Sequence, residues 1–192
     1  MLKVDLPVQT PMILPGPIVL ISCQRDGCKP NLITIGVISA AGAVPAMMGF
    51  AVGHSRHSCK IISQGEDFVI NVPSVDLVDI VDYCGGISGR KINKFEACGL
   101  TPVPSAKVIS PCVGEFPLNI ECIKRESVDV GSHDFIFGEI VAIHCDKSII
   151  DGRKKIDKGK LRPMCLYLLR YWEVGKPIIH VGKSAMFEKH HS

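Results

Sequence analysis

A chain of 192 residues with a net charge of only +3 is long enough for one sizeable core and too short for two, so it reads as a single domain over residues 1–192. Its hydrophobic share of 46 %, with 18 Gly and 13 Pro, suits strands and turns rather than a helical bundle. The mild charge gives no reason to expect a nucleic-acid partner, and no apolar run reaches the ~20 residues of a membrane span.

Nine cysteines are an odd number without paired Cys-x-x-Cys knuckles. With no leader sequence evident, they read as buried thiols in a reducing cytoplasm, not as disulfides or zinc ligands.

In chain order, residues 1–16 carry three prolines and predict an extended arm. The β-branched run Pro17–Gln24, the Arg25-Asp26-Gly27 turn and Leu32–Ile38 predict a hairpin. Ser39–Val44 is too small-sided for a packed strand interior, and Pro45 should interrupt pairing before Met47–Val52. The expected result is a gap lined by backbone where a flat ligand could lie. Ser55 is the expected N-cap of a helix of about two turns ending at Gly65, with Ile61 and Ile62 inward. Asp67–Val72 alternates as a strand, and Pro73-Ser74 precedes a helix over Val75–Gly86 whose Asp76, Asp79 and Asp82 form a solvated face. Ser88–Ser105 reads as a loop with a short helix. Ala106–Ser110, Leu118–Val130 and Phe135–Cys145 read as strands, the last bulged at Gly138. Lys154–Lys160 belongs to an exposed loop, and Leu166–Tyr171 is the last strand. About eight strands and no internal repeat favour a closed or partly closed antiparallel barrel.

Two glycine-rich runs fail as nucleotide motifs. Val181-Gly182-Lys183-Ser184 ends like a phosphate loop, but Pro177 occupies the first glycine position. Cys84-Gly85-Gly86-Ile87-Ser88-Gly89 follows a helix rather than a strand. A Gly-x-Ser-x-Gly elbow is absent, so no hydrolase nucleophile can be named. One feature survives: Arg56 with Ser55 and Ser58 at a helix start, a combination suited to a phosphate. His54 and His57 flank it, as ligand contacts or as solvated groups. The tail pair His190 and His191 is a weak, adventitious transition-metal site.

Asn31-x-x-Thr34, Arg56-His57-Ser58 with the later Gly65–Asn71 run, Ser88-Gly89-Arg90 with Asn93-Lys94-Phe95, Gly131-Ser132-His133 before Phe135–Ile140, and Leu166-Tyr167 with Tyr171 and Gly175 stand in a specific order. In that order the chain resembles the flavin reductase-like family of FMN-binding split barrels, including the flavoredoxins, over Leu14 to Gly175.

The resemblance implies a mainly β, Greek-key split antiparallel barrel with two or three short helices, bounded by an N-terminal arm and a C-terminal tail. It implies FMN as cofactor, NAD(P)H as electron donor and a homodimer with flavin near the interface. Asn31 and Thr34 would contact the flavin and its ribityl chain, and Arg56 and Ser58, helped by Ser55, the phosphate. Lys94 would reach the phosphate or the flavin, His133 the isoalloxazine edge, in a catalytic role or from the partner subunit, and Tyr167 would be a lesser contact. Backbone amides around Ser39, Met48 and Gly49 are candidates for holding the reduced ring. Val37 stands where many relatives carry a tryptophan. The implied activity is an NAD(P)H-dependent flavin reductase serving a redox protein or a monooxygenase. Its alternatives are an FMN electron carrier and, more remotely, a barrel acting as an interaction or nucleic-acid module.

Overall fold

The structure is a computed structural model describing residues 14–153 and 155–178. The arm up to residue 13, the Val181–Ser184 run, the histidine pair His190 and His191, and Lys154 lie outside the described residues. The strands are β1 (Gly16–Pro17), β2 (Val19–Cys23), β3 (Asn31–Ile35), β4 (Ile38–Ala43), β5 (Ala46–Gly53), β6 (Asp67–Val72), β7 (Pro102–Val103), β8 (Cys112–Val113), β9 (Leu118–Asp129), β10 (His133–Cys145), β11 (Met164–Tyr167) and β12 (Arg170–Glu173). The helices are α1 (His57–Gln64), α2 (Val78–Gly86), α3 (Lys94–Ala97) and α4 (Lys158–Leu161).

Seven strands form one antiparallel sheet in the order β3-β2-β6-β9-β10-β5-β4, flanked by a β1-β11-β12 sheet and the short β7-β8 pair. This is the mainly β split barrel that the resemblance implied. Strand β2 is buried at every position because both its faces are covered. Val19, Ile21 and Cys23 join Ile33, Phe50, Phe68 and Ile136 in the barrel core, which Cys59 and Ile62 of α1 close at one end. Ile18, Leu20 and Leu32 point the other way, into a second core with Val81 and Cys84 of α2 and Phe95 of α3. Coverage on two sides explains why the sequence there is a continuous apolar run instead of an alternation. The predicted bulge is present: the β9–β10 register shifts between Phe137 and Gly138, where any Cβ at Gly138 would overlap the Phe68 ring.

Four local expectations are corrected. Ser39–Val44 is not a gap: β4 pairs with β5 through a shift between Ala40 and Gly42, and Val44-Pro45 forms the connecting turn without interrupting the ladder. Residues 39–43 are nevertheless exposed, because β4 is the sheet edge. The α1 N-cap is Arg56, not Ser55, since the Arg56 amide is taken by the Gly53 carbonyl at 2.9 Å and delays the helix by one residue. Leu166–Tyr171 is a hairpin rather than one strand, with Leu168 and Leu169 at φ 47° and 59°, a left-handed pair that the sequence does not mark with the usual Asn-Gly.

Ala106–Ser110 is not a strand either. Its backbone donors go to two buried carboxylates: Ala106 and Lys107 amides to Glu121 Oε1 and Oε2 at 2.8 and 2.7 Å, Ile109 and Ser110 amides to Asp67 Oδ2 and Oδ1 at 2.9 and 3.0 Å. Carboxylates replace the ladder that a strand would have supplied. Asp76, Asp79 and Asp82 are exposed as expected, with Asp76 on Arg162 at 2.9 Å and Asp82 accepting from the Tyr171 hydroxyl at 3.0 Å. No helix among the described residues is long and apolar enough to cross a membrane.

Replacing Asp67 with alanine strands the buried Ser110 amide, at about 1–3 kcal/mol, and frees the half-buried Ile109 amide to bond with water. The urea midpoint falls accordingly, whereas Asp79→Ala on the exposed face changes stability by less than about 0.5 kcal/mol.

Candidate functional site

Strand β5 ends at Gly53, the chain turns through residues 54–56, and α1 begins. At this corner a cavity of about 110 Å³ is lined by Ser55, Arg56, His57 and Ser58 from the turn and helix, Gly85, Ser88 and Gly89 from the end of α2 and its loop, and Lys94 from α3. Asn31 braces the wall: its Nδ2 donates to Ser58 Oγ at 2.6 Å. Gly89 lies so close to the Asn31 carboxamide that a side chain there would collide with it. Arg56 is held loosely. Among the described residues its guanidinium makes one hydrogen bond, a long one of 3.4 Å to the Gly85 carbonyl, and no carboxylate pairs with it.

Lys94 is only 4 % exposed, and its ammonium donates to the Leu32 carbonyl at 2.8 Å and the Cys84 carbonyl at 2.5 Å. Burial, with a further contribution from the Arg56 charge, lowers its pKa. His57 has an Nδ1 that is buried and, among the described residues, has no hydrogen-bond partner. The same ring lines a second, larger cleft of about 570 Å³, shared with Asn31 and Gly89, whose other charged walls are Arg25, Lys29, Lys60, Arg90 and Lys91. Among the described residues no carboxylate lines either cavity, so the corner concentrates positive potential in a chain of nearly balanced charge.

The sequence-predicted residues fall into groups. Asn31, Ser55, Arg56, Ser58 and Lys94 meet at the corner. His133 faces Gly53 across the β5–β10 ladder; a Cβ on Gly53 would stand 3.5 Å from its Nε2 and 3.7 Å from Arg56 Cγ, so His133 and Arg56 share the space over that glycine. Ser39, Met48 and Gly49 lie along the β4–β5 pair, Gly49 about 13 Å from Gly53 by strand rise. Gly49 is covered by Phe135, whose Cε1 would be 2.6 Å from a Cβ there. Thr34 turns toward α2, its hydroxyl donating to the Val81 carbonyl at 2.5 Å. Tyr167 belongs to the β1-β11-β12 sheet, beside Trp172 at 6.4 Å between ring centroids, and does not join the corner group.

Sequence reasoning gave too little weight to His57, to Gly85 and to Arg90. The Gly-rich run Cys84–Gly89, rejected as a dinucleotide turn, is the cavity wall: Gly85 packs on Thr34 and Gly89 on Asn31. Cysteine chemistry is not part of the site. Burial pushes the thiols of Cys23, Cys84 and Cys122 up to about 12 and that of Cys59 to about 11, which keeps them protonated and unreactive.

Comparison with known proteins follows the same outline. The flavin reductase like domain matches residues 12–167. An uncharacterized protein of Archaeoglobus fulgidus is 35 % identical over 129 residues, 67 % of this chain and 73 % of its own length. The flavoredoxin of Desulfovibrio vulgaris (Miyazaki F) superposes with a TM-score of 0.88 at 26 % identity, covering 96 % of this chain and 100 % of that one. A flavoredoxin from Methanosarcina acetivorans gives 0.86 at 26 %, covering 97 % and 100 %.

Burial of the His57 ring, reinforced by the charges of Arg90, Lys60 and Lys94, holds its pKa below the ordinary 6.5. The unfolded chain therefore binds the proton more readily, so the contribution to stability is complete above pH 6.5 and declines as pH falls through that value. Thermal midpoints of the ligand-free protein between pH 7.5 and 5.0 should drop less steeply in His57→Gln than in the parent.

Proposed function

The chain belongs to the flavin reductase-like family, and from that premise we propose that it is a flavoprotein whose corner cavity holds the phosphate of FMN. The observation that carries the reading is the convergence of Arg56, free of any carboxylate partner, with the unpartnered His57 Nδ1 in a cavity without acidic walls. A guanidinium held by one long hydrogen bond, an unpartnered ring nitrogen and a surplus of cations fit a dianionic phosphate. Ser55 and Ser58 add hydroxyls, and the α1 N-terminus adds free amides, because no side chain caps it.

Asn31 acts by orienting Ser58, and Thr34 by fixing α2 against β3. Lys94 contributes charge from the cavity wall. The exposed β4 edge, with Ser39 opposite Gly49, offers backbone groups to the isoalloxazine, and His133, across β5 from that edge, shares the space over Gly53 with Arg56. When bound, FMN supplies the redox chemistry, accepting hydride from reduced nicotinamide and releasing electrons to an acceptor such as a redox protein or a monooxygenase. The chain's own task is to place that group and exclude water from its phosphate end. A homodimer belongs to this reading: Leu168, Leu169 (74 % exposed) and Trp172 of the β11–β12 hairpin are apolar surface that a second copy would cover.

A second reading, an FMN electron carrier without a nicotinamide site, is favoured by the flavoredoxins among the superposable structures. Anaerobic titration with NADH and NADPH separates the two: a reductase loses its visible flavin absorbance, a carrier keeps it until a chemical reductant is added.

FMN affinity of Arg56→Ala should fall by about 10–100-fold, the equivalent of one charge-assisted hydrogen bond. Riboflavin, which lacks the phosphate, should lose little. Equal loss for both ligands, or a protein that takes up neither, contradicts the phosphate assignment.

A further inference from the structure

Eleven residues along β10 from His133, roughly 35 Å by strand rise, three side chains of different chemistry converge. The Cys112 thiol comes from β8, the Glu121 carboxylate from β9 and the His144 imidazole from β10, and one ligand atom of each lies within 4.8 Å of the other two. We propose that this trio is a binding site for a divalent transition-metal ion of the zinc class, with one sulfur, one oxygen and one nitrogen ligand and a fourth position open to water.

Charge argues for a cation. Glu121 is fully buried, yet among the described residues no lysine or arginine pairs with it. Its charged neighbour is His144, whose Nε2 lies 2.6 Å from Oε1 and is cationic only when protonated. A buried carboxylate needs a counter-charge, and a divalent ion provides one that does not depend on the state of the imidazole. The carboxylate is also prepared as a ligand. The Ala106 and Lys107 amides each take one lone pair, on Oε1 and Oε2 respectively, which fixes its orientation, while Oε1 also meets His144 Nε2 at 2.6 Å and Oε2 keeps a second lone pair.

The thiol is poised in a matching way. Ser105 gives its single hydroxyl hydrogen to the Ser110 carbonyl at 2.6 Å, so in its 3.5 Å contact with Cys112 the thiol is the donor. That donation means that the metal-free protein carries the thiol. Metal binding replaces that proton with the ion and releases it to solvent, and the imidazole turns a ring nitrogen lone pair to the metal in place of its hydrogen bond to Glu121; no electron moves. Tetrahedral bonds of about 2.0–2.3 Å require ligand atoms roughly 3.5 Å apart. His144, whose side chain is 45 % exposed, can turn to meet that spacing while the two buried ligands stay in place. One exposed ligand over two buried ones also leaves a route for the ion and a water position.

The test is cobalt titration of the full-length, metal-stripped protein under anaerobic reducing conditions, with His190 and His191 replaced by alanine to silence the tail. One equivalent should give an intense near-ultraviolet sulfur-to-cobalt absorption together with visible tetrahedral bands, both lost on adding zinc. Cys112→Ser should abolish the near-ultraviolet band, and His144→Ala, at a half-exposed position, should weaken cobalt binding about tenfold or more. Melting curves of the metal-free variants check that each is folded. Persistence of the near-ultraviolet band in Cys112→Ser, or unchanged affinity in folded His144→Ala, overturns the site. So does a folded parent that takes up no cobalt, and the trio is then an ion pair beside an ordinary thiol.

Discussion

Strands β2 and β3 are squeezed between two apolar layers, the barrel interior on one side and α2 with α3 on the other, and most other features follow from that. With both faces dry, every polar group in the sandwich must find its partner within it. Asn71 does so with both ends of its amide, donating to the Leu20 carbonyl at 3.1 Å and accepting from the Val113 amide at 3.0 Å. Lys94 does so by placing its ammonium on carbonyls of β3 and α2. That buried cation pins the end of α2, which sets the Ser88-Gly89 loop against Asn31 and closes the cavity behind Arg56. The site is thus a by-product of how the second core seals.

The electrostatics of the corner come from distribution, not from amount. A net charge of +3 is unremarked in the sequence, but the carboxylates are spent elsewhere. Asp67 and Glu121 hold a loop, Asp76 and Asp82 hold Arg162 and Tyr171, and Asp134 holds His54 at 3.0 Å. Among the described residues the cations of the α1 corner are left without such partners. Buried carboxylates that accept backbone amides perform two tasks at once: they let Ala106–Ser110 lie on the sheet without a ladder, and they keep negative charge away from the corner.

Much of the fold was legible because the hydrophobic period and the turn residues agree. Asp67–Val72, Leu118–Val130 and the Gly138 bulge follow from alternation and from a glycine that must face an aromatic ring. The misreadings share one cause, namely a local signal outweighed by a partner distant in sequence. Ala106–Ser110 is a series of bends rather than the expected strand, because its consecutive amides turn to the same carboxylate instead of to a neighbouring strand. Small residues at 39–43 pair because an edge strand needs no bulk on its open side. The left-handed turn at Leu168-Leu169 is held by Trp172 Nε1 on the Tyr167 carbonyl at 3.2 Å, a contact that no turn motif encodes.

By itself the sequence determined the barrel class, the family and the cluster of Arg56, Ser55 and Ser58, because strand periodicity and residues adjacent in the chain are local properties. Only the tertiary structure decided which distant groups join them. It brought Lys94, Gly89 and His133 to the corner, kept Tyr167 away, turned Thr34 toward α2 and left His57 without a partner. It also gathered Cys112, Glu121 and His144 from three strands. The physical reason is that hydrogen-bond satisfaction and charge pairing in a closed core are settled by contacts across the sheet, and one-dimensional spacing does not carry those contacts.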